Sequence, residues 1–433
     1  MQKLMAQVWY KQRPSKALFL GITALFLLCS GSVGWAADDD KPKINPLEIT
    51  TPDPLLPSPS VERPATPQEI RLLREALDDL NAQATEQLKA GNAPAAFEIW
   101  YRELRLRRSL GTVEEVQALG RIGDIAWTNN QKADLQIITQ RLQTIRAEAL
   151  GKPIRKNEKR PLGTADVPAT VTDVTPENAE LLQALGQAYQ QIRLPGEAVE
   201  IYQLILADAR QRQDAATEEA TLKTIAQAHM SWFDYPKAAA AYEELLVLAS
   251  QKGDRVSEVV YLQQLAYIYD KVKQPENSLK FKQQLLQNYL TDPQAANQIP
   301  AIKIAIADDY QALNPPNPDA ASQNYQEAYN LAWTLQQFAS ASEALKKLGD
   351  LYRNYKKPDF ALQVYQVLLQ VDQQSYNYYN LMNTYDQMGQ IYLERGDMEQ
   401  AKTAFQQGLE LAKSLKYQEN YFVTQIERVS KQD

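Results

Sequence analysis

From residue 68 almost to the C-terminus, apolar positions recur at three- and four-residue intervals, with polar positions between them. That is the period of helices that bury one face, and strand-like alternation is nearly absent, so the pattern predicts an all-α chain. The helical stretches are short and punctuated by Gly, Pro, Asn or Asp. The stretch "QMGQIYLERGDMEQAKTAF" shows the spacing most clearly. Taking Gly389 as reference, Tyr392 follows three residues later, Ala401 twelve and Phe405 sixteen.

The same spacing returns upstream as Gly349, Tyr352, Ala361 and Tyr365, as Gly186, Tyr189, Ala198 and Tyr202, and as Ala226, His229, Ala238 and Tyr242. Weaker copies have Ala266, Tyr269 and Ser278 with Lys282 in the aromatic slot, and Ala307 and Tyr310 with Ala321 and Tyr325. Nearer the N-terminus, Ala84, Ala96 and Trp100 form a unit, and Gly123, Ala126 and Leu135 a degenerate one. These make eight units, mostly about 40 residues apart. Each predicts two antiparallel helices, A and B. The small anchor lets helix A cross its partner closely, the preceding residue faces the core, and helix B presents Ala. Four residues beyond that Ala, an aromatic ring is expected to fill the gap between units.

Small residue, Tyr, Ala, then aromatic, in paired helices, resembles the tetratricopeptide repeat over roughly residue 68 to the end. The family's usual period is about 34 residues, so the extra length here implies longer helices, as in repeats similar to those of kinesin light chain. The resemblance implies a right-handed α-solenoid of about eight helix pairs. "YQENYFVTQIERVSKQD" is then a capping helix with a polar outer face, which an open solenoid end needs.

It also implies a protein or peptide partner held along the concave surface lined by helix A. The candidate positions there are Gln183, Gln187, Gln190 and Gln191, followed by Lys223, Gln227, Tyr267 and Asp270. The wall continues through Asp308, Lys346, Asp350 and Arg353 to Asp386, Gln390 and Glu394. Amide side chains at such positions can pair with the backbone of an extended peptide. The family's Lys and Asn clamp for a C-terminal carboxylate does not carry over, because the helix A Asn position holds Asp, Gln, Tyr or Thr.

The N-terminus reads differently. Residues 1–36 carry Lys3, Lys11, Arg13 and Lys16 before the apolar run "ALFLGITALFLL", then small residues around Trp35 and no acidic residue. This is the plan of an export signal cleaved after Ala36; a retained membrane anchor is the alternative, and lipidation at Cys29 is disfavoured by Leu28 before it. Export places the chain in the periplasm or another extracytoplasmic compartment, with membrane association only through this segment or through a partner. Residues 37–67 are Pro-rich and read as a flexible linker. Residues 68–149 hold the degenerate N-terminal units, 150–175 a loop insertion with a basic cluster, and 176–433 the main array and its cap.

Removing the signal takes away four positive charges and no negative ones, moving the formal charge from −7 to −11. Nucleic acid is therefore an unsuitable partner, since its binding needs a basic face. The sole Cys leaves with the signal, so disulfides and thiolate chemistry leave with it. His229 is the only His and occupies a repeat Tyr slot, which reads as core packing, and the clustered tyrosines from Tyr376 onward read as packing and helix surface. The adjacent Asp308 and Asp309 offer oxygen ligands but point about 100 degrees apart on a helix, a poor chelate by themselves. No phosphate loop or nucleophile elbow is present. The sequence therefore predicts no enzyme, no cofactor and no catalytic or metal residues, but an exported scaffold that gathers partner proteins in assembling a membrane-associated complex. An acidic metal-delivery protein is the alternative.

Overall fold

A computed structural model describes residues 45–49, 51–56, 65–151, 174 and 176–431, with the side chains of residues 176 and 177 left aside. The segment read as an export signal, Cys29 and nearly all of the basic loop lie outside the described residues. Among those described, seventeen α-helices and one short 3₁₀ helix occur. The helices are α1 (Pro67–Lys89), α2 (Ala93–Arg107), α3 (Thr112–Thr128), α4 (Lys132–Ala149), α5 (Pro176–Gln191) and α6 (Pro195–Gln211). They continue with α7 (Ala215–Ser231), α8 (Tyr235–Lys252), α9 (Arg255–Lys271), α10 (Pro275–Thr291), α11 (Ile299–Ala312) and α12 (Pro318–Thr334). The series ends with α13 (Phe338–Asn354), α14 (Pro358–Gln374), α15 (Tyr378–Glu394), α16 (Met398–Leu415) and α17 (Glu419–Ser430). Odd helices up to α15 are the A members of eight pairs, even ones are the B members, and α17 is the cap.

The turns show why the helices stop where they do. Non-Gly residues take left-handed φ at the same point of many turns, as at Gln213 (55°), Phe233 (59°), Lys356 (55°) and Tyr376 (55°). After α13, the Lys356 N–H donates to Arg353 O and the Lys357 N–H to Tyr352 O, capping the orphan carbonyls of the last turn. Pro at the first helical turn follows in α2, α6, α8, α10, α12 and α14, where its missing N–H costs nothing.

The repeat residues form the core as the spacing predicts. Helix B Ala96, Ala198, Ala238, Ala321, Ala361 and Ala401 are all fully buried, and so is Ser278 in the same slot. The residues before most anchors, among them Leu185, Leu265, Leu348 and Met388, are buried as well, while Gln83 before Ala84 is exposed.

The aromatic slot does more than the spacing predicts. The ring lies on the anchor of its own unit and also reaches the next, as Tyr242 of α8 does toward the Tyr261 ring of α9 at 6.1 Å. A Cβ built on Gly349 would sit 2.3 Å from Tyr365 Cε1, one on Gly389 2.6 Å from Phe405 Cε1, and one on Gly186 2.7 Å from Tyr202. The anchor is small because a ring covers it. Burying such a ring is worth about 2–3 kcal/mol, which explains why the two residues recur together. The cap continues the device, since Gly408 of α16 lies under Phe422 of α17. In the degenerate unit, Gly123 instead admits Ile192 from the end of α5, and Gly120 lies under Gln191 and Ala188.

Lys282, in the aromatic slot of α10, is 5 % exposed. Its ammonium reaches Asp270 at 2.9 Å within its own pair and Asp309 at 2.9 Å in the next. An ion network thus occupies the place of a ring.

Part of the Pro-rich segment read as a linker is seated on the first pairs. Leu47 is 1 % exposed and belongs to the main core, and Leu56 packs with Leu77, Leu80 and Leu106. Arg102 grips Asp53 at 2.7 and 3.0 Å, Arg105 donates to Pro46 O at 2.5 Å, and Arg108 donates to Leu47 O at 2.9 Å. Arg102 and Arg105 of α2 and its C-cap Arg108, one turn apart, thus supply an ion pair to Asp53 and donors to two backbone carbonyls of this segment.

Candidate partner-binding surface

Side chains from successive A helices meet along one face. Lys347 of α13 reaches Asp308 of α11 at 2.9 Å, and Arg353 of α13 reaches Glu394 of α15 at 2.8 Å and also Gln387. Asp386 of α15 accepts from the Tyr421 hydroxyl of α17 at 2.8 Å. Helices α11, α13 and α15 therefore share one face with the cap, and that face carries Asp308, Arg353, Asp386 and Glu394 of the positions read from the sequence.

The candidates divide into two groups. Gln183, Gln187, Gln191 and Gln227 are exposed, and their side chains bond to nothing among the described residues. Tyr267 is 45 % exposed and lies under the Lys271 ammonium, and Lys346 is exposed. Gln191 also packs over Gly120 of α3, while Gln183, Gln187, Gln227 and Lys346 can meet a partner without breaking a hydrogen bond or ion pair.

The others are committed within the protein. Asp270 takes Ser278 and Lys282, while Asp308 takes Lys347 and the Tyr325 hydroxyl at 2.5 Å. Asp350 accepts from the Tyr365 hydroxyl at 2.7 Å, and Gln190 from the Tyr202 hydroxyl at 3.4 Å. Lys223 pairs with Glu219 at 2.6 Å, which holds its ammonium pKa above the ordinary value, and Arg353 with Glu394 form the bridge already described. Gln390 lies against Tyr421 at 3.1 Å.

Two of these commitments share one geometry: a ring buried over a small anchor sends its hydroxyl out beside the next residue of helix A, so Asp308 and Asp350, each one residue after an anchor, become acceptors, whereas the Tyr202 hydroxyl reaches Gln190, four residues beyond its anchor. Burial and then the carboxylate neighbour push the Tyr325 and Tyr365 hydroxyls well above the usual phenol range. Tyr421 is pushed up to about 12 for the same reasons in the same order. These phenols are fixed donors at every working pH.

The paired carboxylates read as a weak chelate point to separate networks, Asp308 to Lys347 and Asp309 to Lys282. Among the described residues no cluster of three or more metal-ligating side chains forms. His229 is part-buried, with Nδ1 3.4 Å from Asp234, and burial lowers its pKa. No described helix is long and apolar enough to cross a membrane.

One hollow opens in the wall, a pocket of about 170 Å³ between α13, α14 and α15. Lys346 and Asp350 form one side, Asn383 and Gln387 the other, and Tyr365 and Leu368 of α14 the floor. Asn380 and Thr384 complete it. Beyond Asn380, the fully buried Asp372 accepts from Ser342 Oγ at 2.6 Å, and Asn380 Nδ2 donates to the same Oγ at 3.2 Å. The sequence drew attention to Lys346 and Asp350 but not to Asn380, Thr384 or Gln387. Asn380 and Gln387 turn toward α13, where they bond Ser342 and Arg353, and Thr384 between them is buried, off the exposed stripe by which the wall was read.

This geometry defines an all-α solenoid of stacked antiparallel helix pairs, a class built to present a long side-chain wall. Residues 340–414, spanning α13 to α16, match the family model described as Tetratricopeptide repeat. No curated protein matches the chain in sequence. Similar solved structures include BtubC from P. vanneervenii, at 18% identity and TM-score 0.36, over 51% of this chain and 92% of that one. Another is a Signal Transduction ATPase with Numerous Domains protein with a tetratricopeptide repeat sensor from Pyrococcus horikoshii, at 14% identity and TM-score 0.40. The match covers 85% of this chain and half, 50%, of that protein. A third is aspartyl phosphate phosphatase F from Bacillus subtilis, at 13% identity and TM-score 0.38, over 72% of this chain and 78% of that one.

Proposed function

We propose that the protein is a non-catalytic interaction scaffold that holds an extended segment of a partner protein against its helix A wall. The observation that carries this reading is the set of exposed side-chain amides, Gln183, Gln187 and Gln191 on α5 and Gln227 on α7 at the repeat position that matches Gln187, none of which is hydrogen-bonded among the described residues. Each amide offers a donor and an acceptor to a peptide backbone, and a row of them gives affinity with modest sequence selectivity. The N-terminal sequence adds the finer part of the proposal: the chain is exported and gathers partners of a membrane-associated complex in an extracytoplasmic compartment.

A photo-cross-linking residue placed at Gln187 or Gln227 tests the wall, with Gln366 on the exposed side of α14 as the control. The expected result is a specific cross-linked protein from the two wall positions and none from Gln366. Equal labelling from all three, or from Gln366 alone, rejects the helix A wall as the binding face. Fractionation of cells producing the tagged chain tests export; residence in the cytoplasm with residues 1–36 intact rejects that part.

A further inference from the structure

The pocket between α13, α14 and α15 holds polar groups whose remaining bonding capacity can be worked out one by one. Lys346 is a donor only and forms no ion pair or hydrogen bond among the described residues. Gln387 accepts from Arg353 through Oε1, so its free group is the Nε2 donor. Asp350 takes the Tyr365 hydroxyl on Oδ1, leaving Oδ2 as an acceptor. Asn380 spends a donor on Ser342, leaving its Oδ1 acceptor, while Asn383 keeps a whole amide. Free donors and free acceptors thus face one small space in comparable number.

Charge narrows what can enter. Lys346 and Asp350 stand one helical turn apart on one face of α13, within reach of a common ligand, yet they do not pair. A carboxylate would meet Asp350, an ammonium would meet Lys346, and an alkyl group would leave every one of these atoms unbonded. A neutral group that carries an acceptor and a donor on one carbon satisfies both sides. Size narrows it further: about 170 Å³ is below the usual range for a small-molecule or cofactor site and suits one side chain.

We propose that this pocket selects a primary amide, the Asn or Gln side chain of a segment lying along the wall, with its carbonyl toward Lys346 and its amide N–H toward Asp350. The proposal rests on the helix A wall as the binding face and names the side chain that sets its register.

The test uses the deuterated, ¹⁵N-labelled full chain titrated with N-acetyl-glutamine N-methylamide and with the glutamate and norleucine analogues, read by the side-chain amide signals of Asn380, Asn383 and Gln387. Saturable shifts in the millimolar range, expected of a single side chain, should appear for the glutamine compound and be at least tenfold weaker for the other two. Lys346→Met and Asp350→Asn should each weaken that binding about fivefold or more, while Lys402→Met on α16 should leave it unchanged. Glutamate binding as tight as glutamine, or no saturable shift up to about 50 mM, overturns the proposal. If the fragment fails while the wall cross-links persist, the pocket assignment falls alone. If the fragment binds but the wall captures no protein, the pocket stands and the scaffold reading falls.

Discussion

Among the three Gly anchors that lie under an aromatic-slot ring, the closest contact, at Gly349, offers the sharpest test of how the array is held together. In Gly349→Ala, the new methyl would lie 2.3, 2.8 and 2.9 Å from three atoms of the Tyr365 ring. Carbon atoms pack at about 3.5–4.0 Å, so the ring must retreat by more than about 1 Å. Tyr365 is 1 % exposed and its hydroxyl is held by Asp350, which leaves it little room. Overpacking of this kind costs about 1–3 kcal/mol, and loosening a hydroxyl bond to a carboxylate adds about 1 kcal/mol. Against this, Ala gains up to about 1 kcal/mol of helix propensity over Gly. The net expectation is a loss of about 1–3 kcal/mol. Gly196→Ala in α6 is the matched control, because a methyl there meets nothing within 4 Å, and it should stabilise by a few tenths to about 1 kcal/mol. Urea denaturation followed by circular dichroism gives both values, and hydrogen exchange of α13 and α14 amides locates the loss. Adding Tyr365→Leu closes a double-mutant cycle in which Gly349→Ala should become much less damaging. If Gly349→Ala matches Gly196→Ala, or the cycle is additive within about 0.5 kcal/mol, the ring is not what keeps the anchor small.

Asp372 predicts a pH dependence. Burial raises its pKa above the ordinary 3.8, so the folded state holds its proton more tightly than the unfolded state, and stability falls as pH rises through the window above 3.8. Asp372→Asn should flatten the Asp372 part of that fall, seen as a smaller difference between urea midpoints at about pH 4.5 and pH 7.5 than in the wild type; an unchanged difference refutes it. Leu47→Asp should detach the segment seated on α2, since a buried Leu is replaced by an unpaired charge. Limited proteolysis should then cut within residues 46–56 well before α2, whereas wild-type chain resists there. Lys356→Gly should stabilise by about 1 kcal/mol, because Lys356 holds a left-handed φ of 55° that Gly adopts without a Cβ clash. A loss of stability in urea denaturation would show that its side chain contributes more than its backbone costs.

Most of the helix pairing was legible in the sequence, for a physical reason. The partners of a repeat residue lie within its own unit at fixed helical offsets, so Gly349, Ala361 and Tyr365 report one another through spacing alone. What escaped depends on distances that spacing does not encode. A ring sixteen residues beyond an anchor is compatible with packing on its own pair, on the next or on both, and spacing does not say which. Lys282 looked like a defect in the aromatic slot because its compensation, Asp309, belongs to the following unit, 27 residues on. The seated segment was hidden by composition: Pro and Asp suit a linker, and the docking depends on Arg102, Arg105 and Arg108, which lie about 50 to 60 residues further along.

The candidate wall followed the same division. Exposure was readable at Gln183, Gln187, Gln191 and Gln227 because the helical period assigns a face. Availability was not readable, since whether Asp308 is free depends on Tyr325 and on Lys347 of the next unit. Removing the carboxylates at positions already spent inside the protein therefore perturbs the scaffold before it perturbs any partner. The uncommitted amides and Lys346 are the positions at which a change in binding can be read as binding. A substitution at Asp308 that alters both stability and partner capture says nothing about the wall, whereas one at Gln187 that alters capture alone does.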